Sequence, residues 1–291
     1  MKSPIIDIHT HGVGGLDTRT ASAADILKIA EIQMACGVDG IVPTVYTDDI
    51  QTMRLHMSAI KEAMELQRHS RLTAQAVILG LHLEGPFLNP QRCGALKRTA
   101  FIKPTERALN ELIEGFSDII KIITIAPELD GAVELIRLIT KLGIIVSMGH
   151  SGATYAEALA GFSAGARGIT HLFNATAPFH HREPGLVGFG LTNKAIYIEV
   201  IADPYHLHPS AIELIFAAKP LDKIIIVSDS VKETGTMPTS SAGITDINNT
   251  LQGGAATLME SARRLIQLGS DEDKIMRCVT ENPTRYLSSL S

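Results

Sequence analysis

IIVSMGHSGATYAEALAGFSAGARGITHL, residues 144–172, reads as a strand, a helix and a second strand, with a histidine at the end of each strand. The β-branched run 144–148 reaches His150 through Gly149, whose missing side chain lets the backbone come close to a ligand. Residues 154–164 carry the apolar spacing of a helix and end beside Gly165, and the next short apolar run, 168–172, contains His171. A strand-helix-strand unit of this kind belongs to a parallel sheet.

The same alternation extends in both directions. Candidate strands fall at 4–9, 40–45, 77–83, 119–125, 144–148, 168–172, 196–201 and 224–228. Helix-period segments lie at 22–36, 49–68, 105–113, 130–142, 154–164 and 209–218, with two more at 255–268 and 271–280. The Gly- and Pro-bearing stretch 173–195 reads as a loop. Eight such strands in 291 residues predict a single α/β domain over 1–291, a (β/α)8 TIM barrel. A doubly wound open sheet is the rival. It usually carries a Gly-rich phosphate turn after its first strand and gathers its ligands at one switch point, whereas here polar candidates follow many strands. No internal repeat, low-complexity segment or linker is visible.

Hydrophobic residues at 45% and charged residues at 20% are ordinary globular proportions. A net charge of −5, aromatics at 4% and no Trp leave neither a basic footprint nor a stacking platform, so nucleic acid is not an expected partner. Cys36, Cys93 and Cys278 are odd in number and far apart, which predicts neither a disulfide framework nor a thiolate metal site, and suits a reducing compartment. Met1-Lys2-Ser3-Pro4 runs straight into a strand-like segment without an apolar leader, and no apolar run reaches membrane length. A cytoplasmic protein with no membrane partner is the expectation.

Asp7-Ile8-His9-Thr10-His11 places two imidazoles at a strand end, pointing to one face by strand alternation. Alone, the pair could be a coincidence of core or surface. Support comes from other strands: Glu84 ends an apolar run in Gly80-Leu81-His82-Leu83-Glu84, where a carboxylate without a cation would be costly. A salt bridge to a loop arginine would be its ordinary explanation. His150 and His171 could each be a core histidine, and Asp229, which closes the run 224–228, could merely cap a turn. In a barrel, however, His9, His11, Glu84, His150, His171, His206 and Asp229 all converge on the C-terminal mouth. Imidazole and carboxylate are the usual ligands of Zn, Fe, Mn or Ni, so a divalent transition metal is expected. Metal-bound water ionises near pH ~7 and supplies a nucleophile, in keeping with the lack of a Gly-X-Ser-X-Gly elbow or a cysteine nucleophile signature. His56 and His69 read as residues of a solvated helix face, His180 and His181 as loop residues, and His82 as a candidate to point inward.

With these residues in view, the chain resembles the N-acetylglucosamine-6-phosphate deacetylases of the amidohydrolase superfamily. The resemblance rests on IIDIHTHG (5–12), GLHLEGPFLNP (80–90), SMGHSGAT (147–154), THLFNA (170–175), HHREPGLVG (180–188), IADPYHLHP (201–209), VSDS (227–230) and NTLQGGAATLM (249–259). It implies that Glu84, His150 and His171 hold one metal ion, and that Asp229 serves as general base and then general acid. His9 and His11 match the members that carry a second ion, so one or two ions per chain are implied. Asn174, the Ala175 backbone, Arg182 and His206 would bind the phosphate of an acylated amino sugar, one of them lent by a neighbouring subunit, which implies a homodimer. The implied reaction removes acetate from an N-acetylhexosamine 6-phosphate.

Three departures from the family pattern stand out. The family's flanking segments form a small β-sandwich, whereas this sequence opens on the first barrel strand and closes at 282–287, so a barrel without the sandwich is expected. Leu96 follows Gly94-Ala95 where the family has His or Gln, and the loop 231–250 is shorter. Two other readings therefore stand beside the deacetylase: an amidohydrolase for a different acylated amine, and a non-catalytic, metal-containing sugar-phosphate binder. Asp229 argues against the binder, which needs no proton shuttle.

Overall fold

The computed structural model describes residues 3–69, 74–236 and 242–289; Met1-Lys2 and residues 237–241 of the loop 231–250 lie outside the described residues. Eight strands form one parallel sheet in sequence order: β1 (Ile6–Thr10), β2 (Gly40–Tyr46), β3 (Leu81–Glu84), β4 (Ile120–Ile125), β5 (Ile145–Met148), β6 (Gly168–Ile169), β7 (Tyr197–Ile201) and β8 (Ile224–Val227). Backbone bonds beyond the end of β8 close the ring, as Asp229 N–H donates to the His9 carbonyl at 2.9 Å and His11 N–H to the Ser230 carbonyl at 2.7 Å. The sheet is a nearly closed barrel, as the alternation of the sequence predicts.

Around it run α1 (Ala23–Ala35), α2 (Ile50–His69), α3 (Glu106–Ile113), α4 (Ala132–Lys141), α5 (Tyr155–Ala164), α6 (Gly185–Thr192), α7 (Pro209–Ala218), α8 (Leu258–Gln267), α9 (Glu272–Val279) and α10 (Glu281–Leu287). Several starts are written in the sequence: Thr154 and Glu157 form a capping box at α5, as do Thr257 and Glu260 at α8. One face of the strands packs on these helices through residues such as Leu83, Ile123, Val146, Val200 and Ile226. The opposite face fills the barrel with Ile6, Ile8, Val42, Ile122, Ile145, Tyr197 and Ile225, and Tyr286 of α10 belongs to this cluster. Gly168 accommodates it, because a Cβ there would lie 2.0 Å from the Tyr286 hydroxyl.

Four expectations need correction. The run 77–83 is interrupted at Gly80, whose φ of +144° separates the short strand Val77–Ile78 from β3. The run 168–172 stops at Ile169, because His171 turns at φ +30°. The stretch 173–195 holds a helix, α6, whose sequence GLVGFGLT hides it: residues Gly185–Leu191 are all buried, so no polar face marks the period. Its glycines permit close packing, since a Cβ at Gly190 would lie 2.9 Å from Ile169 and Leu172. His56 does not face solvent: it is buried on α2, and burial lowers its pKa. No helix among the described residues is long and apolar enough to cross a membrane.

Candidate metal centre and active site

Six of the anticipated side chains meet at the C-terminal mouth. His9 lies on β1 and His11 one residue beyond its end, beside an irregularity in the β1–β2 pairing between Asp7 and Thr10. Glu84 is the last residue of β3. His150, His171 and Asp229 lie just beyond β5, β6 and β8, with φ of +46°, +30° and +48°. Left-handed backbone at a non-glycine residue costs on the order of 1–3 kcal/mol and persists where surrounding structure enforces it. Here hydrogen bonds do so: Asn89 N–H donates to the His150 carbonyl at 3.0 Å, Asn174 N–H to that of His171 at 2.9 Å, and Gly254 N–H to that of Asp229 at 2.7 Å.

The side chains fall into two groups. Glu84, His150 and His171 form one; His9, His11 and Asp229 form the other, and within each the ligand atoms lie within 4.8 Å of one another. Glu84 stands between them. Its Oε1 is 3.1 Å from Nε2 of both His150 and His171, and its Oε2 is 3.2 Å from His11 Nε2. His9 Nε2 is 3.2 Å from His11 Nε2 and 3.3 Å from Asp229 Oδ1.

These residues fit a metal ion on chemical grounds. His150 Nδ1 lies 2.9 Å from the Arg92 carbonyl, which assigns the proton to Nδ1 and leaves Nε2 as a lone pair facing the Glu84 carboxylate. His9 Nδ1 lies 2.9 Å from Glu199 Oε2, which likewise directs its Nε2 lone pair at Asp229. Acceptors facing acceptors at such distances repel unless a cation lies between them. In a tetrahedral site with bonds of about 2.0–2.1 Å, neighbouring ligand atoms stand about 3.3 Å apart, close to the spacings observed. Electrostatics agree: burial opposes charge on His9, yet Asp229, Glu199 and Glu84 raise its pKa well above the usual value. Burial would raise Glu84, but His150, His11 and His171 hold it well below the carboxylate range. The buried mouth favours positive charge where the two groups meet.

The mouth opens into a cavity of about 350 Å³ whose walls include Asn174, Ala175, His206 and Leu96. His206 is clamped by Asp203, whose Oδ2 is 3.0 Å from His206 Nδ1 and also accepts from Ala255 N–H at 2.9 Å. Arg182 is not on this wall; it is exposed, and its guanidinium lies 3.1 Å from His181 Nε2. His69, His180 and His181 are exposed, as expected. His82 does point inward, with Nε2 2.7 Å from Thr124 Oγ1 and its ring edge-on to His9 at 4.8 Å.

Sequence reasoning missed Glu199, Glu128, Tyr46 and Arg19. Glu199 had a signal, a lone carboxylate in the apolar strand Ile196-Tyr197-Ile198-Glu199-Val200-Ile201. Glu128, in the turn after β4, holds the loop after His150: its oxygens accept from Ser151 Oγ at 2.7 Å and from Gly152 N–H at 2.6 Å. Tyr46 and Arg19 line the cavity with no motif to announce them.

No protein-family model matches the chain. It is 38% identical over 232 residues to the N-acetylglucosamine-6-phosphate deacetylase of Bacillus subtilis, a match spanning 79% of this chain and 58% of that protein. The chain thus spans about three fifths of that relative's length. It is 31% identical over 275 residues to the N-acetylglucosamine-6-phosphate deacetylase of Lysinibacillus sphaericus, covering 90% of this chain and 70% of that one. Among solved structures, the Pasteurella multocida deacetylase matches at TM-score 0.88 and 28% identity, covering 98% of this chain and 76% of its own. An aspartate-to-alanine variant of the Mycobacterium smegmatis deacetylase, solved with N-acetyl-D-glucosamine-6-phosphate, matches at TM-score 0.86 and 25% identity over 98% of this chain and 77% of its own. Sharing its barrel with these enzymes and nearly a third of its residues with a relative it largely covers, the chain belongs to the N-acetylglucosamine-6-phosphate deacetylase family.

Proposed function

We propose that the protein is a metal-dependent hydrolase of linear amides that removes acetate from an N-acetylhexosamine 6-phosphate. The observation that carries this reading is the meeting of His9, His11, Glu84, His150, His171 and Asp229 at one barrel mouth in a chain of this family. Glu84, His150 and His171 would hold one divalent transition metal ion, Zn, Fe, Mn or Ni; His9, His11 and Asp229 would hold a second, with Glu84 between. Such ions, when bound, polarise the amide carbonyl and acidify water.

Asp229 borders the cavity with its side chain 11% exposed, open enough to take a proton from the attacking water. It then returns that proton to the leaving nitrogen, giving a free amine and a carboxylate. Glu199 keeps the His9 ring turned toward the centre, and the Arg92 carbonyl does the same for His150. Asn174, the Ala175 backbone and His206 would take the sugar phosphate on their side of the cavity. Arg182, outside the cavity of its own chain, would complete that subsite in a neighbouring copy, which makes the working unit a homodimer. We further propose that residues 1–291 act as a single hydrolase domain in the cytoplasm, where the three free cysteines are stable.

Leu96 favours one alternative, a different acylated amine. It is an apolar residue on the cavity wall, where the family's His or Gln would offer a hydrogen bond. The test is amine release from a panel of N-acylated hexosamines, with and without phosphate, by chelator-treated protein refilled with defined metals. Release from N-acetylhexosamine 6-phosphates that depends on metal supports the proposal; release confined to other amides favours the alternative.

A further inference from the structure

Arg19 is the only lysine or arginine on the cavity wall among the described residues. The segment carrying it is fastened to the barrel: Thr18 N–H donates to the His11 carbonyl at 2.9 Å, Thr18 Oγ1 to the Thr44 carbonyl at 2.7 Å, and Arg19 N–H to Asp17 Oδ1 at 2.8 Å. Its guanidinium lies over the Tyr46 ring at 3.6 Å from the centroid. The His11 imidazole stacks on the same ring at 3.8 Å with an interplanar angle of 22°. A ring in contact at both distances must be sandwiched, so guanidinium, phenol and imidazole form one column reaching from the solvent side of the mouth to the metal-ligand cluster.

Stacking on an aromatic face holds the guanidinium plane without using its N–H donors. Among the described residues those donors make no hydrogen bond and no ion pair. An arginine so oriented, on a cavity wall and with the nearby Asp17 carboxylate bound to its backbone N–H rather than to its guanidinium, is prepared for an oxyanion. Its place on the ring matters too. Tyr46 ends β2, whereas Asn174 and Ala175 follow β6, four strands away in a ring of eight and therefore on the opposite wall.

We propose that Arg19 is a specificity-determining residue that binds an oxyanion of the substrate at the wall opposite Asn174 and Ala175. This deepens the amide-hydrolase reading and rests on it for the identity of the ligand as a substrate. The oxyanion is either a carboxylate on a substituent at the far end of the sugar, with the phosphate on Asn174, Ala175 and His206 as proposed above, or the sugar phosphate itself, in which case that subsite assignment gives way. Leu96, also on the wall, has no donor to compete for the same group.

Binding can be measured by calorimetry on the metal-loaded protein, using three amine-bearing probes: a hexosamine, its 6-phosphate, and that 6-phosphate carrying a carboxyalkyl ether. In Arg19→Gln, the advantage of one oxyanion-bearing probe over its match without that group should fall by about tenfold or more. Arg19→Lys should keep part of that advantage, and the loss should shrink in high salt. A loss in the phosphate pair identifies the phosphate as the oxyanion; a loss in the carboxylate pair identifies the carboxylate. Equal changes for all three probes overturn the proposal, as does an unmodified protein that binds no phosphate- or carboxylate-bearing probe. Failure of the hydrolase reading looks different: probe binding and its dependence on Arg19 persist, while no amide is cut. Arg19 is exposed, and an unchanged melting curve excludes misfolding as the cause.

Discussion

Replacing Glu199 tests how the barrel interior supports its mouth. The carboxylate is buried on β7, and its Oε2 lies 2.9 Å from His9 Nδ1, on the far side of the ring from the metal-ligand cluster. Among the described residues no other side chain pairs with His9 Nδ1, and His82, the next group against His9, has its pKa held well below the usual histidine value by burial. Losing a hydrogen-bonding partner behind a ligating histidine costs about 10–100-fold in metal affinity, or about 1.4–2.8 kcal/mol. The loss should fall on the ion that His9, His11 and Asp229 would hold. The other group takes its ring orientation from the Arg92 carbonyl behind His150 and touches Glu199 only through a 3.4 Å contact from His171 N–H. In Glu199→Ala, calorimetric titration of chelator-stripped protein with Zn should show two binding events becoming one under limiting metal. Glu199→Gln, whose amide oxygen still accepts from Nδ1, should lie between the two. Equal weakening of both events, or no weakening of either, would refute the argument.

Asp229→Asn should retain the ion that Glu84, His150 and His171 would hold yet lower turnover at least about a hundredfold, measured as amine release, because an amide cannot shuttle the proton. Arg182→Ala should weaken phosphorylated substrates far more than their dephosphorylated analogues in steady-state kinetics; equal losses would remove it from the phosphate subsite. The Asp203–His206 clamp should make stability depend on pH. Burial notwithstanding, His206 and the backbone donors pull Asp203 from 3.8 to about 2, so about 2 kcal/mol present above pH ~4 is lost as pH falls toward 2. His206 is raised above its usual value by Asp203 despite burial, so its share is present below pH ~6.5 and lost as pH rises through the raised pKa. Asp203→Asn should flatten both limbs in chemical denaturation, and an unchanged profile would rule out the clamp. Leu96→His should change activity on N-acetylhexosamine phosphates little if two ions polarise the carbonyl, whereas a large gain would mark that substrate as a poor one for this protein.

The barrel was legible because each repeating unit writes its own period. Strands such as Ile224–Val227 are continuous apolar runs, as expected where both faces are covered, and helices such as α8 begin with a capping box. Reading failed where burial erases the period. Helix α6 is apolar on every side, and its three glycines, which look like breakers, are sites of close approach: Gly185 to the Ala153 carbonyl, Gly188 to Pro184, and Gly190 to Ile169 and Leu172. It failed at strand ends for a different reason. His171 leaves the strand at φ +30° with its Nε2 3.1 Å from Glu84 Oε1, and nothing in Ile169-Thr170-His171-Leu172 distinguishes that turn from one more extended residue.

The candidate site divides along the same line. Candidate ligands that terminate strands are legible because a strand end in a barrel has one destination, so position along the chain implies position in space. Asn174, Ala175 and His206 required the family resemblance, and Arg19 was not found at all, because wall residues ride on connections whose path the strand pattern does not determine. Arg19 reaches the cavity only because a hairpin of Gly12–Val13 and Leu16–Asp17 folds the chain back over the end of β2, onto Tyr46. Gly12 enables that hairpin: its φ is +153°, and a Cβ there would lie 2.1 Å from the Leu16 carbonyl oxygen. A side chain at this position would therefore displace the hairpin, and with it the guanidinium, and would also strain the adjoining His11, whose carbonyl accepts from Thr18 N–H of the same segment. The candidate ligands and the wall thus meet at His11, which belongs to one and anchors the other. The other candidate ligands follow from the barrel's strand ends, whereas the wall at Arg19 follows from hairpin contacts that the strand pattern does not determine.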